Sequence, residues 1–196
     1  MPRKTIKQLQ AEITATNKQF ARLPLSLQRV EIARDVIAQL EQGKFQATQG
    51  TYVELPKKLT KADLKRDASL VFAASETCTV CGIGGLFVSA VCKADKLPVI
   101  DLGTESGSRL SVQGVDSYEY LKQFFPEKML ANIEGAFEQR NDFGGEWGCQ
   151  WFAEDVDDDN DRLRLIMENI IVNDGEFLFE NSPESKTVWY TPNFAG

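Results

Sequence analysis

The stretch CTVCGIGGLFVSAVC, residues 78–92, contains three of the four cysteines of the chain. Cys78 and Cys81 have the spacing of half a zinc site, which Cys92 and Cys149 could complete as a set of four thiolates. The same pair would suit thiol–disulfide chemistry if it stood at the start of a helix after a buried strand. The glycines that follow could cradle a phosphate, but the stretch lacks the Lys-Ser/Thr pair of a phosphate-binding loop.

A buried helix explains this stretch without any ligand. In a continuous helix the three cysteines fall within about 60° of one another, because each residue advances the helix by ~100°. Free cysteine is among the most buried residue types, and Gly82, Gly84 and Gly85 would let another helix approach closely. A second Cys-x-x-Cys pair, which would strongly indicate zinc, is absent from the sequence. We therefore favour the buried helix and predict neither a bound metal nor another cofactor.

The acidic run EDVDDDNDRLRLIMEN, residues 154–169, also has the spacing of a ligand set. Alternating aspartates from Asp157 onward, with Glu168 at the twelfth position, match the ligand positions of an EF-hand calcium loop. However, Arg162 occupies the sixth position, where the turn of that loop needs glycine. We favour a helix that begins in this run and is capped by one of residues 159–161.

The sequence of 196 residues contains no histidine. Histidine is the usual general base near neutral pH and the commonest metal ligand, so its absence excludes Ser-His and Cys-His nucleophile pairs. Catalysis would have to rest on carboxylates, Lys, Tyr or Cys, and the densest group of carboxylates forms one acidic run that we expect to be solvated. We therefore predict that the protein is not an enzyme.

The charge of the chain is divided between its two ends. Residues 1–66 contain 13 Lys and Arg against 6 Asp and Glu, whereas residues 140–180 contain 3 against 12. Such a division suggests two surfaces with different partners, or self-association of the basic arm with the acidic region. We predict that an acidic, aromatic C-terminal half binds another protein. The residues predicted to bind the partner are Trp147, Trp151, Asp155, Asp157 and Asp158.

Two alternatives remain open. The first is a nucleic-acid-associated protein whose basic arm contacts phosphates, through Arg3, Lys4, Lys7, Lys18, Arg22 and Arg29. It is disfavoured by the net charge of −7 and by the lack of a nucleic-acid-binding motif. The second is a small protein stabilised by zinc at its cysteines.

The hydrophobic pattern predicts a helix-dominated α+β fold with one or two short β elements. We expect a basic, helical N-terminal arm over residues 1–23 and a single globular domain over residues 24–196. Apolar residues recur at helical spacing after Ser26, after Thr60, in SYEYLKQFF, in EKMLANIEGAFEQ and in DRLRLIMENIIVN. FQATQGTYVEL predicts a hairpin or one bent strand, EFLFE a short strand, and TVWYTPNF an edge strand or a loop.

Three segments resemble a family of small proteins of tailed bacteriophages and prophages: CTVCGIGGLFVSAV, the preceding RVEIARDVIAQLEQGKF and the later RLRLIMENIIVNDGEF. These motifs are apolar, and no activity of the family can be assigned to a residue here. The resemblance implies a phage accessory protein whose partner is a host or phage protein. The sequence also lacks both the apolar run of ~20 residues that spans a bilayer and a signal peptide, so we expect a cytoplasmic protein in a bacterial host.

Overall fold

Seven α-helices and a four-stranded mixed sheet form the described part of the chain, which confirms a helix-dominated α+β fold. The structure is a computed structural model that describes residues 5–94, 97–102, 107–112 and 114–179. The helices are α1 (Ile6–Phe20), α2 (Leu25–Glu41), α3 (Ala68–Ala74), α4 (Gly82–Ala94), α5 (Gly114–Leu121), α6 (Glu127–Glu138) and α7 (Asp159–Val172). The strands are β1 (Phe45–Ala47), β2 (Val53–Lys58), β3 (Cys78–Val80) and β4 (Arg109–Val112).

The sheet has the strand order β1-β3-β2-β4. Strand β3 pairs parallel with β1, whereas β2 pairs antiparallel with both β3 and β4. The prediction that FQATQGTYVEL forms a hairpin or one bent strand is therefore wrong, because β3 lies between β1 and β2. Strand β4 was also missed, since it falls in a Gly- and Ser-rich segment that resembles a loop.

The sequence predicted one continuous helix for the cysteine stretch, and this prediction is wrong. Cys78 lies on β3, and the chain turns at Cys81 before α4 begins at Gly82. The backbone N–H of Cys78 donates to the carbonyl of Lys44, and that of Cys81 donates to the carbonyl of Tyr52. Lys44 directly precedes β1 and Tyr52 directly precedes β2, so these bonds join the stretch to distant parts of the chain. The periodicity of the stretch itself does not reveal them.

Helix α4 is nevertheless the buried centre of the fold. Every residue from Gly82 to Val91 is buried, and α4 packs mainly against α1, α2, α3, α5 and α6. The Phe87 ring lies edge-to-face with Phe72 of α3 at 6.4 Å and with Tyr120 of α5 at 5.4 Å. Burial of one such aromatic side chain stabilises a fold by roughly 1.5–3 kcal/mol.

The helix expected after Thr60 is divided into two shorter elements. Thr60 and Asp63 exchange hydrogen bonds that close a 3-10 turn at Asp63–Lys65, and α3 begins only at Ala68. Between them the chain pairs with residues 97–99, because the Ala68 N–H donates to the Leu97 carbonyl at 2.7 Å. This pairing prevents a continuous helix.

The segment that follows α7 was predicted to be a strand, and residues 176–179 are not in one. The Leu178 N–H donates instead to the Asn169 side chain of α7 at 2.8 Å, while Phe177 and Phe179 are buried. The segment TVWYTPNF lies outside the described residues.

Helix α1 lies in the segment that was expected to form an N-terminal arm, and it begins with a capping box between Thr5 and Gln8. Its last residue, Phe20, is buried and lies edge-to-face with Phe124 at 5.7 Å. The C-terminal end of the arm therefore packs against the rest of the protein. Among the described residues, no helix is long and apolar enough to cross a membrane.

Candidate functional site

Two tryptophans are exposed in the segment that joins α6 to α7. The Trp147 side chain is 71 % exposed and that of Trp151 is 44 % exposed, although both are large and apolar. Their rings lie edge-to-face, with centroids 5.1 Å apart and planes at 85°. A pair of tryptophans left in water costs solvation free energy, which makes this pair a candidate binding surface.

The tryptophans are carried by a turn that is anchored in the core. Between them, Cys149 is fully buried and begins a 3-10 turn that ends at Trp151. On the N-terminal side, the Glu146 N–H donates to the buried Asn132 side chain of α6 at 2.6 Å. On the C-terminal side, Phe152 packs edge-to-face on Phe177 at 5.2 Å. The backbone of the turn that carries the pair is therefore held in place.

The acidic residues that follow Trp151 in the chain lie on hydrogen-bonded turns. The Glu154 N–H donates to the Trp151 carbonyl at 3.2 Å, and the Gln139 side chain at the end of α6 donates to the Glu154 carbonyl at 3.3 Å. The buried Arg162 donates to the Val156 carbonyl and so ties the acidic segment to α7. The backbone of the segment is thus bonded at several points.

The aspartates predicted to bind a partner have two different roles. Asp155 and Asp157, together with Glu154, are exposed and form no ion pair with any other described residue. Asp158 is the N-cap of α7, since its side chain accepts from the N–H groups of Asn160 and Asp161 at 2.8 and 3.0 Å. The cap predicted within residues 159–161 is therefore displaced by one residue.

The residues after Asp158 also have structural partners. Asp159 accepts from the Gln49 N–H at 3.1 Å, and Asn160 accepts from the Ala47 N–H at 2.8 Å. The start of α7 therefore holds the loop between β1 and β2. We define the aromatic–acidic surface as the remaining exposed residues, which are Trp147, Trp151, Glu154, Asp155 and Asp157.

The four cysteines are distributed over the fold as free thiols. Cys78 and Cys92 line a cavity of about 90 Å³ between α2, α3, α4 and the sheet, whereas Cys149 packs against α6. Burial raises the pKa of both Cys78 and Cys81 to about 12, so these thiols are weak nucleophiles at neutral pH. This disfavours the interpretation of Cys78 and Cys81 as a thiol–disulfide pair.

Neither the zinc nor the calcium alternative has a metal site in the part of the chain that the structure describes. No group of three or more Cys, Asp or Glu side chains there could hold a metal ion. Three of the residues proposed as calcium ligands, Asp159, Asp161 and Glu168, lie within α7. A calcium site of the EF-hand type needs these residues in a loop, so the structure disfavours it.

The basic residues proposed for nucleic-acid binding differ in availability. Lys7, Lys18 and Arg22 are exposed. Arg29, in contrast, donates to the Phe124 carbonyl at 2.7 Å and pairs with Glu176, so its guanidinium is already engaged. Arg3 and Lys4 lie outside the described residues.

A buried polar contact was missed at the sequence level. Glu134 of α6 is only 3 % exposed, and its two carboxyl oxygens accept from the hydroxyls of Tyr52 and Tyr118. Burial, followed by the contact with Glu134, raises the pKa of both phenols. The sequence did contain a sign of this contact, since Glu134 lies within the apolar pattern IEGAF of a helix that faces the core.

Comparison of the chain with protein-family models, with curated proteins and with solved structures found no match.

Proposed function

We propose that the protein is a non-enzymatic accessory protein of the tailed-phage type that binds a host or phage protein in the bacterial cytoplasm. The observation that carries this proposal is the exposed Trp147–Trp151 pair, held on an anchored turn beside unpaired carboxylates. Tryptophan is enriched among the residues that dominate binding energy in protein interfaces.

The charge of the aromatic–acidic surface favours a basic partner. Three of its five residues are carboxylates without an ion pair among the described residues, and residues 140–180 contain 12 Asp and Glu. Complementary charge accelerates association and excludes acidic partners. The anchoring of the turn adds to affinity, because little conformational entropy is lost when the partner binds.

Affinity capture from a bacterial lysate, with and without phage infection, tests this function. The wild-type protein is expected to retain a basic protein that the Trp147→Ala/Trp151→Ala variant does not retain. The variant Glu154→Gln/Asp155→Asn/Asp157→Asn should lose the same protein, while Asp158 is kept because it caps α7.

Two control variants change exposed residues elsewhere. Leu25→Ser/Leu27→Ser removes exposed apolar side chains from α2, where they are 51 % and 45 % exposed. Glu41→Gln/Asp116→Asn removes exposed carboxylates from α2 and α5. Both controls are expected to retain the captured protein. If all four variants retained it equally, the aromatic–acidic surface would not be the binding site and the proposal would fail.

A further inference from the structure

We infer that the aromatic–acidic surface recognises an arginine side chain of the partner. The guanidinium would stack on the Trp147–Trp151 pair and donate its N–H groups to the neighbouring carboxylates. This inference rests on the proposed function and names the chemical group through which the partner is recognised.

The ring geometry favours a cation over an apolar side chain. The planes of Trp147 and Trp151 are almost perpendicular, so the edge of one ring already contacts the face of the other. Trp147 is the more exposed of the two residues, and an exposed ring face carries the negative part of the ring quadrupole. Tryptophan is the best of the aromatic residues at binding a cation on this face.

The carboxylates beside the rings strengthen this preference. Glu154 follows Trp151 in a hydrogen-bonded turn, and Asp155 comes next in the chain, with no ion pair to any described residue. Lys128 of α6 is paired with Glu146, the residue before Trp147, at 2.8 Å. An apolar partner would cover the free carboxylates without compensating their lost hydration, whereas a cation would compensate it.

Arginine satisfies both features better than lysine. The guanidinium is planar and stacks on aromatic faces, and its N–H groups form a fork that matches a carboxylate. The lysine ammonium is a compact and strongly hydrated charge that can serve only one of these contacts well. A perpendicular tryptophan pair with adjacent free carboxylates therefore fits arginine.

Nuclear magnetic resonance titration with short peptides tests the inference directly. The probe is acetyl-GRGRG-amide, and the controls are the same peptide with lysine or with citrulline, the uncharged isostere of arginine, in place of arginine. The indole N–H resonances of Trp147 and Trp151 are expected to shift when the arginine peptide is added. The variant Trp189→Phe identifies the indole resonance of the third tryptophan, so that it can be set aside. Compared with the arginine peptide, the dissociation constant should be at least about tenfold larger for the citrulline peptide and about threefold larger for the lysine peptide.

Variants identify the contacts. Trp147→Leu should weaken binding of the arginine peptide about fivefold, since one exposed cation–π contact contributes that much. Glu154→Gln/Asp155→Asn should also weaken binding of the arginine peptide. In this variant the binding should depend less on salt between 0.05 and 0.5 M NaCl, over roughly the range where exposed charges become screened. The control Leu27→Ser should bind like wild type.

The outcomes separate this inference from the proposed function. Equal binding of the arginine and citrulline peptides, or of the arginine and lysine peptides, would overturn the inference. Absence of any indole shift, in a protein that still captures its partner through the aromatic–acidic surface, would overturn the inference and leave the proposed function intact. Absence of both the shift and the surface-dependent capture would refute both.

Discussion

At the scale of single residues, Glu138 has the most informative environment. Burial at the end of α6 raises the pKa of its carboxyl group to about 7, and the carboxylates of Glu134 and Asp159 add to this effect. Hydrogen bonds from the Gly50 N–H and the charge of Arg140 act in the opposite direction. The folded protein therefore favours the neutral form of Glu138 more strongly than the unfolded chain does.

This raised pKa predicts that Glu138 makes stability depend on pH. Below pH ~4.5 the carboxyl group is neutral in both the folded and the unfolded protein, and its contribution to stability is fully present. This contribution is lost as the pH rises through about 7, because ionisation is then costly only in the folded protein. The free energy of unfolding should therefore fall between pH 5 and pH 8, as measured by urea denaturation. The loss should be smaller than the pKa shift alone implies, because the side chain keeps contact with solvent.

The matched variant is Glu138→Gln, which has the shape of the neutral acid and does not titrate. It should flatten the decline in stability between pH 5 and pH 8, whereas Glu168→Gln on α7 should leave the decline unchanged. If the wild-type and Glu138→Gln proteins showed parallel pH profiles, then Glu138 would not be the group that titrates in this range.

At the scale of elements, the close contact between α4 and β2 depends on one glycine. A Cβ atom on Gly84 would lie 1.4 Å from the Tyr52 carbonyl oxygen, so the backbone of the two elements would have to separate. The glycines were predicted to admit another helix. This holds for Gly82, which faces Phe137 of α6, but Gly84 faces the backbone at the start of a strand.

Gly84→Ala is therefore expected to destabilise the fold by about 3 kcal/mol or more, because the obstacle is backbone and cannot change rotamer. Gly85→Ala, one residue later, is the matched control. Its Cβ would meet side-chain atoms only at 3.5 Å or beyond, and alanine favours a helix by up to ~1 kcal/mol over glycine. Thermal and urea unfolding of both variants measures the difference, and equal stabilities would show that the contact with Tyr52 is not tight.

The elements also show what the sequence could and could not specify. Helices α2, α6 and α7 were predicted because their apolar residues repeat at helical spacing over 12 to 17 residues. Strand β1 falls within the segment FQATQGTYVEL that was predicted to be β, but its pairing with β3 was missed, since this pairing joins distant parts of the chain. The three-residue strand β3 carries no repeat of its own. The exposed tryptophans and acidic residues could be named from composition, but the cap formed by Asp158 depends on where α7 begins.

At the scale of the whole molecule, one buried carboxyl joins three separate parts of the chain. Tyr52 precedes β2, Tyr118 lies on α5 and Glu134 lies on α6, and both hydroxyls donate to the Glu134 carboxyl group. Hydrogen bonds to a buried polar group are favourable mainly because the group is costly to leave without partners. The contact therefore specifies how α5, α6 and the sheet pack together.

This shared acceptor predicts that the two tyrosines are energetically coupled. Tyr52→Phe and Tyr118→Phe should each lower the free energy of unfolding by about 1–2 kcal/mol, since the other hydroxyl still satisfies the carboxyl group. The double variant should lose about 1 kcal/mol more than the sum, because Glu134 is then buried without either donor. Adding Glu134→Met to the double variant removes the unsatisfied group and should recover part of the loss, as measured by guanidinium denaturation. Additive losses, or no recovery with Glu134→Met, would show that the two hydroxyls do not stabilise the fold through a common acceptor.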